Sequence, residues 1–199
     1  MLRSKAPFFL LALILLTACG DSDQPTPSPT SAPTSVATSA TTSAEGWQEY
    51  ASTEGRFTIL MPGTPIEEVL SQELATGGEI ESAVARLEAD SVTYMVIYTD
   101  LPQESLDLGE DEFFRQYING VVQNVESQSG VTLDKPQEQK IMLDGNPGRE
   151  FTYSAQGQGS RTRTYLVGSR HYQIIAAGPM DKLSGDQVTD FLDSFKLTQ

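Results

Sequence analysis

The chain of 199 residues contains one cysteine, one histidine and one tryptophan. A single cysteine excludes an intrachain disulfide framework and any multi-cysteine zinc or iron–sulfur centre. A single histidine excludes a histidine-rich metal site. Positive charge is also scarce: 13 Lys and Arg stand against 27 Asp and Glu, a net charge of −14. Nucleic-acid binding needs a basic footprint that displaces phosphate counterions, and this balance argues against it. The same deficit argues against a polybasic membrane-surface binder. Long apolar runs are missing too. The longest, Phe8 to Leu16, has nine residues, well short of the roughly 20 that a membrane-spanning helix requires.

That run belongs instead to a secretory signal spanning residues 1–18. Arg3 and Lys5 supply its positive end, and it closes on Leu16-Thr17-Ala18-Cys19. This tetrapeptide resembles the lipobox of bacterial lipoproteins: an aliphatic residue, two small residues, then cysteine. The resemblance implies that the Cys19 thiol receives a diacylglyceryl group and that cleavage before it makes Cys19 the first mature residue. Two acyl chains give stable attachment where one is marginal. Gly20, not Asp, follows the cysteine, so the inner-membrane retention signal common in two-membrane bacteria is missing.

Residues 19–45 carry the lipidated cysteine and a tether. Asp21 to Glu45 holds six Ser, six Thr, four Pro and no aromatic residue. Such a stretch buries too little apolar surface to offset its ordering entropy, and Pro25, Pro27, Pro29 and Pro33 favour extended local structure. It reads as a disordered spacer.

Residues 46–199 read as one globular domain, with 11 basic against 24 acidic residues and a net charge of −13. Trp47 to Tyr50 and Arg56 to Met61 are expected to be short strands around Thr53-Glu54-Gly55. Ile66 to Ala75 and Glu79 to Glu88 read as a hairpin. Val92 to Thr99 is nearly continuous apolar and suits a central strand covered on at least one face. Phe113, Phe114, Tyr117, Ile118, Val121, Val122 and Val125 recur at helical spacing behind Glu110, Asp111 and Glu112, predicting a helix from about Gly109 to Ser127 that ends by Gly130. Lys140 to Leu143, Arg149 to Ala155, Arg161 to Val167 and Tyr172 to Ala177 are expected strands. Asp144-Gly145 and Gly157-Gln158-Gly159 mark turns between them. Val188, Phe191, Leu192 and Phe195 predict a short closing helix. The sum is an α+β domain: a mostly antiparallel sheet with one long and one short helix packed on it.

Several of these segments resemble the PsbP-like domains. They are Trp47-x-x-Tyr50, Gly55-Arg56-Phe57-Thr58-Ile59 and Met61-Pro62-Gly63-Thr64-Pro65, then Gly145 to Phe151, Tyr165-Leu166-Val167, Tyr172-Gln173-Ile174 and Phe191 to Phe195. That group includes small bacterial envelope lipoproteins and the extrinsic photosystem II subunit PsbP. The resemblance runs from about Trp47 to Leu197. Photosynthetic members commonly open with a Tyr-Pro-x-Gly-Trp turn; Met61-Pro62-Gly63-Thr64 stands there in this chain.

Candidate chemistry is sparse. His171 is the one imidazole, and Ser169 shares its strand face, but no Gly-x-Ser-x-Gly elbow accompanies them and Arg170 disfavours the imidazolium. A partly exposed strand end is the expected setting. Gly157-Gln158-Gly159 lacks the third glycine of a dinucleotide fingerprint, since Thr162 stands there. Asp107, Glu110, Asp111 and Glu112 could offer oxygens to Ca²⁺, without the spacing of a calcium loop; acids at a helix start have an ordinary electrostatic reason. Glu67 and Glu68 read as a solvated strand edge. Arg149, Arg161, Arg163 and Arg170 are a candidate anion or partner patch, or solubilising charge paired with Glu150 and nearby acids. No cofactor is expected. The reading is a non-catalytic, membrane-anchored extracytoplasmic binding or scaffolding module, held to the membrane by its lipid and facing an envelope protein partner. The alternatives are an accessory subunit of a membrane complex, photosystem II in the PsbP manner, and a hydrolase or metal-dependent enzyme with a concealed site.

Overall fold

A computed structural model describes residues 46–73 and 78–198. The signal, the lipobox with Cys19 and the tether lie outside them. Among the described residues ten strands form two antiparallel sheets. In the small sheet β1 (Gln48–Ser52) pairs with β2 (Phe57–Met61), which also pairs with β10 (Lys196–Leu197). The large sheet contains β3 (Ile66–Glu73), β4 (Glu79–Ala89), β5 (Val92–Asp100), β6 (Gln137–Leu143), β7 (Asn146–Ala155), β8 (Gln158–Val167) and β9 (Arg170–Pro179). Their spatial order is β3-β4-β5-β9-β8-β7-β6. The sequence pattern anticipates one mostly antiparallel sheet. Instead the N-terminal hairpin forms its own small sheet, joined by β10, whose two residues carry no readable period.

The large sheet is covered on both faces, and strand alternation decides what goes where. From β5 and β9, Val92, Tyr94, Val96, Tyr172, Ile174 and Ala176 enter the main core. There they meet Trp47, Phe57, Ile59 and Met61 of the N-terminal region, and Val188, Phe191 and Leu192 of α4 (Asp186–Asp193). The alternate residues face the other way. Tyr117, Ile118 and Val121 of α2 (Glu110–Ser129) pack there on Phe151 and Tyr153 of β7. The expected central strand β5 is thus buried on both sides.

α2 begins and ends where its local chemistry requires. Glu110, Asp111 and Glu112 occupy its first turn, where the macrodipole favours negative charge. It stops at Gly130, whose left-handed φ of 67° suits glycine and whose N–H donates to the Glu126 carbonyl. Two helices were not expected: α1 (Gln103–Leu106) and α3 (Met180–Leu183). Each has four residues and starts directly after a proline, Pro102 or Pro179. One turn is too short to show periodicity. Among the described residues no helix is long and apolar enough to cross a membrane.

Two glycines of the family-like segments have steric reasons. A Cβ on Gly148 would lie 2.5 Å from the Tyr165 ring and 2.6 Å from the Thr164 carbonyl oxygen. Gly148 is the cross-strand partner of Tyr165, so the ring occupies the space a side chain would need. A Cβ on Gly55 would likewise lie 2.5 Å from the Phe57 ring.

Candidate functional site

The four arginines are placed by strand register. Gln156 and Gly157, both at positive φ, form a two-residue turn between β7 and β8. Counting back from that turn sets Glu150 opposite Arg163. Arg161 and Arg163 share the main-core face, as the spacing predicts. Arg161 Nε donates to Glu150 Oε1 at 2.8 Å and Arg163 Nε to Glu150 Oε2 at 2.7 Å. Burial pushes the Glu150 carboxyl up, but hydrogen bonds from Arg163 and Arg161 outweigh it and hold it below the usual range. Arg161 Nη1 also donates to Thr189 Oγ1 at 2.9 Å, and Arg163 Nη1 reaches Asp193 at 2.6 Å. This Arg–Glu–Arg group therefore fastens α4 to the sheet.

Arg149 points to the opposite face, under α2. Its guanidinium lies 4.7 Å over the Phe114 ring and donates to Glu138, Asp111 and the Gly148 carbonyl. Asp111 also accepts from Lys140 at 2.7 Å. The Lys140 hydrogen bond is the main reason its carboxyl is held below the usual range. Arg170 sits at the start of β9. It forks onto both oxygens of Asp100 at 2.7 Å, donates to the Glu54 carbonyl at 2.6 Å and stacks over Tyr98. The hydrogen bond from Arg170 holds the Asp100 carboxyl down. The structure thus brings Arg161 and Arg163 together but does not assemble the four into one patch. Each of the four already holds an acid, the ion-paired arrangement weighed from the sequence.

His171 corrects a sequence expectation. It is fully buried rather than partly exposed at a strand end. Its ring packs edge-on against Phe113 and Tyr117 of α2, and its Nε2 is hydrogen-bonded to Thr164 Oγ1. Nδ1 has no partner among the described residues. Burial lowers its pKa from 6.5 to about 3, so it is neutral near pH 7. Ser169 is exposed in the turn before β9. The described residues therefore do not assemble a Ser–His–carboxylate relay around this ring.

The acids near α2 are tied locally. Asp107 accepts from Gln103 Nε2 at 3.0 Å, and Glu112 holds Arg115 and Gln116. An open depression of about 470 Å³ lies at this end, lined by Leu108, Gly109, Glu110, Asp111, Glu112 and Arg115. Among the described residues no group of three or more His, Cys, Asp or Glu is placed to hold a metal ion. The β7–β8 hairpin turn is Gln156-Gly157 rather than Gly157-Gln158-Gly159, because Gln158 and Gly159 pair with Ala155 and Ser154 as the start of β8. Glu67 and Glu68 lie on the edge strand β3, as read from the sequence.

Sequence reasoning missed a polar seam beneath α2. Thr162, Thr164, His171 and Gln173 are buried there, and Tyr117 Oη donates to Gln173 Oε1 at 2.7 Å. The alternation Arg161-Thr162-Arg163-Thr164 was the available signal. It places the threonines on one face of β8 and the arginines on the other.

No protein-family profile matches the chain, and no curated protein sequence matches it either. Among solved structures it is similar to the cyanobacterial PsbP (CyanoP) of Synechocystis sp. PCC 6803, determined in solution. The match covers 78% of this chain and 94% of that one, with 14% identity and a TM-score of 0.53. At this identity the likeness shows the fold: residues of the described domain adopt a PsbP-like arrangement of antiparallel sheets with helices packed on them.

Proposed function

We propose that the protein is a bacterial lipoprotein, anchored outside the cytoplasm through lipid on Cys19, whose PsbP-like domain acts as a non-catalytic binding or scaffolding module. The observation that carries this reading is the order of parts. A signal ends in the sole thiol, a Ser/Thr/Pro spacer follows, and a compact acidic domain comes last. A spacer of 25 residues in extended form reaches about 3.1 Å per residue, so the domain can work tens of ångströms from the bilayer. Within the domain, Arg149, Arg161, Arg163 and Arg170 are committed to internal contacts, which supports action through other surface groups. The second reading, an accessory subunit of a membrane complex such as photosystem II, draws support from the likeness to the cyanobacterial PsbP (CyanoP).

The anchor is tested by Cys19→Ser. With the wild type, radioactive palmitate labels the protein and it sediments with membranes. The variant is expected to lose the label and to remain unprocessed or become soluble. Label retained on Cys19→Ser would overturn the lipoprotein reading.

A further inference from the structure

Among the described residues β3 is the outermost strand of the large sheet and pairs only with β4. Its register with β4 is unbroken from Ile66 to Glu73, with no bulge, and the strand contains neither Pro nor Lys. A regular edge of this length presents a row of backbone donors and acceptors to whatever can pair with it. The edge is also partly apolar. Four large hydrophobic side chains are exposed among the described residues, and two of them, Ile66 at 66% and Val69 at 64%, lie on β3.

Alternation gives each face of this edge its own character. On one face Leu70 packs on a cluster formed by Val84, Met95 and Ile97, with Ile175 beside it, and Glu68 and the exposed Ile66, opposite Arg86, lie on the same face. That cluster draws only on strands, and no helical residue belongs to it. On the other face Glu67 and Val69 are exposed, and Glu81 of β4 lies next to Ser71. Glu67 accepts from Tyr50 Oη at 2.8 Å. None of Glu67, Glu68, Glu79 and Glu81 holds a cation among the described residues, whereas Glu150, Asp100 and Asp111 do. β3 and β4 together carry six Glu against one basic residue, Arg86 opposite Ile66, so this edge is acidic. A second copy would bring two acidic edges together on chains of charge −14, and like charges across paired strands are destabilising.

We propose that β3 takes an extended basic segment of a partner protein as an additional strand. This deepens the binding-module reading and rests on it. Backbone pairing would supply attachment, and alternate side chains the selectivity. Apolar residues of the incoming strand would cover Ile66 and Leu70. Lys or Arg on its other face would meet Glu67 and lay their aliphatic stems over Val69.

Hydrogen exchange on the intact chain tests this, using two synthetic octapeptides, one alternating Lys with Val and one alternating Glu with Val. The Lys–Val peptide is expected to slow exchange across Ile66 to Gln72 by about tenfold or more, in proportion to the closed population. Added salt should weaken the effect, and Glu67→Lys with Glu68→Lys should abolish it. Should that double variant misfold, Val69→Lys at an exposed position is the second test. The proposal is overturned if neither peptide protects β3, if both do so equally, or if protection falls on the opposite edge strand β6. It is also overturned if β3 is protected without peptide, either in a concentration-dependent way or until Asp21 to Glu45 is deleted. Those results would assign the edge to a second copy or to the chain's own tether. Failure with the peptides alongside intact partner capture in cells would leave the binding-module reading in place and move the contact to another surface.

Discussion

Replacing Glu150 with Ala should destabilise the domain by about 3–5 kcal/mol, the range for removing one partner from a buried ion group. The reason is asymmetry. Glu150 is buried and accepts from both Arg161 and Arg163, so its loss leaves two largely buried guanidiniums facing one another with only the exposed Asp193 carboxylate, on Arg163, as counter-charge. It also loosens the attachment of α4, because the same arginines reach Thr189 and Asp193. For a domain of this size the loss corresponds to a fall in Tm on the order of 10 °C, measurable by thermal or urea unfolding. Arg115→Ala is the control. Its pair with Glu112 is an exposed i, i+3 contact and should contribute less than about 1 kcal/mol. Equal effects of the two substitutions would show that the Arg–Glu–Arg group is not a structural fastening.

Acid should destabilise the protein through His171 before the depressed carboxylates Asp100, Asp111 and Glu150 titrate. The folded protein holds this imidazole neutral down to about pH 3, while an exposed histidine takes up a proton near 6.5. Between those values the unfolded state binds more protons, so stability falls as pH falls, by up to about 1.4 kcal/mol per pH unit. Below about 3 this group contributes no further loss. Asp100, Asp111 and Glu150 behave differently, because their folded pKa values are depressed. Their contribution is present above the ordinary carboxylate range and is lost only as pH falls through the lowered values. Urea midpoints measured from pH 7.5 to 4.5 should therefore begin to decline near pH 6.5 in the wild type and fall progressively below it. His171→Gln should flatten the decline, since Gln has no proton to gain there. A wild-type midpoint that stays level over this range would contradict the buried neutral imidazole.

Much of this architecture was legible because its elements repeat a period several times. The apolar positions from Phe113 to Val125 mark α2, and its boundaries follow from the acids before it and Gly130 after it. The hairpin strands are marked by alternation and by their turns. Elements of two or four residues, β10, α1 and α3, offer no period and were not read. The arginines show a different limit. The parity of Arg161 and Arg163 is visible in the sequence, but their pairing with Glu150 is not, because the turn falls at Gln156-Gly157, one residue earlier than the glycine pattern suggests. That Arg149 points under α2 depends on which helix covers which face, and no local pattern states this. His171 was misplaced for the same reason. Its parity sets it on the face away from Tyr172 and Ile174, a face that looks solvated until α2 is laid over it.

The central claim, a lipid-anchored module that acts by binding, is tested most directly by cross-linking in intact cells, comparing the wild type with Cys19→Ser and with an unrelated lipid-anchored control. The account predicts that the wild type repeatedly captures the same envelope protein and that the anchorless variant loses most of that yield. Capture no greater than that of the control, from a wild-type protein shown to be folded and membrane-bound, would contradict it.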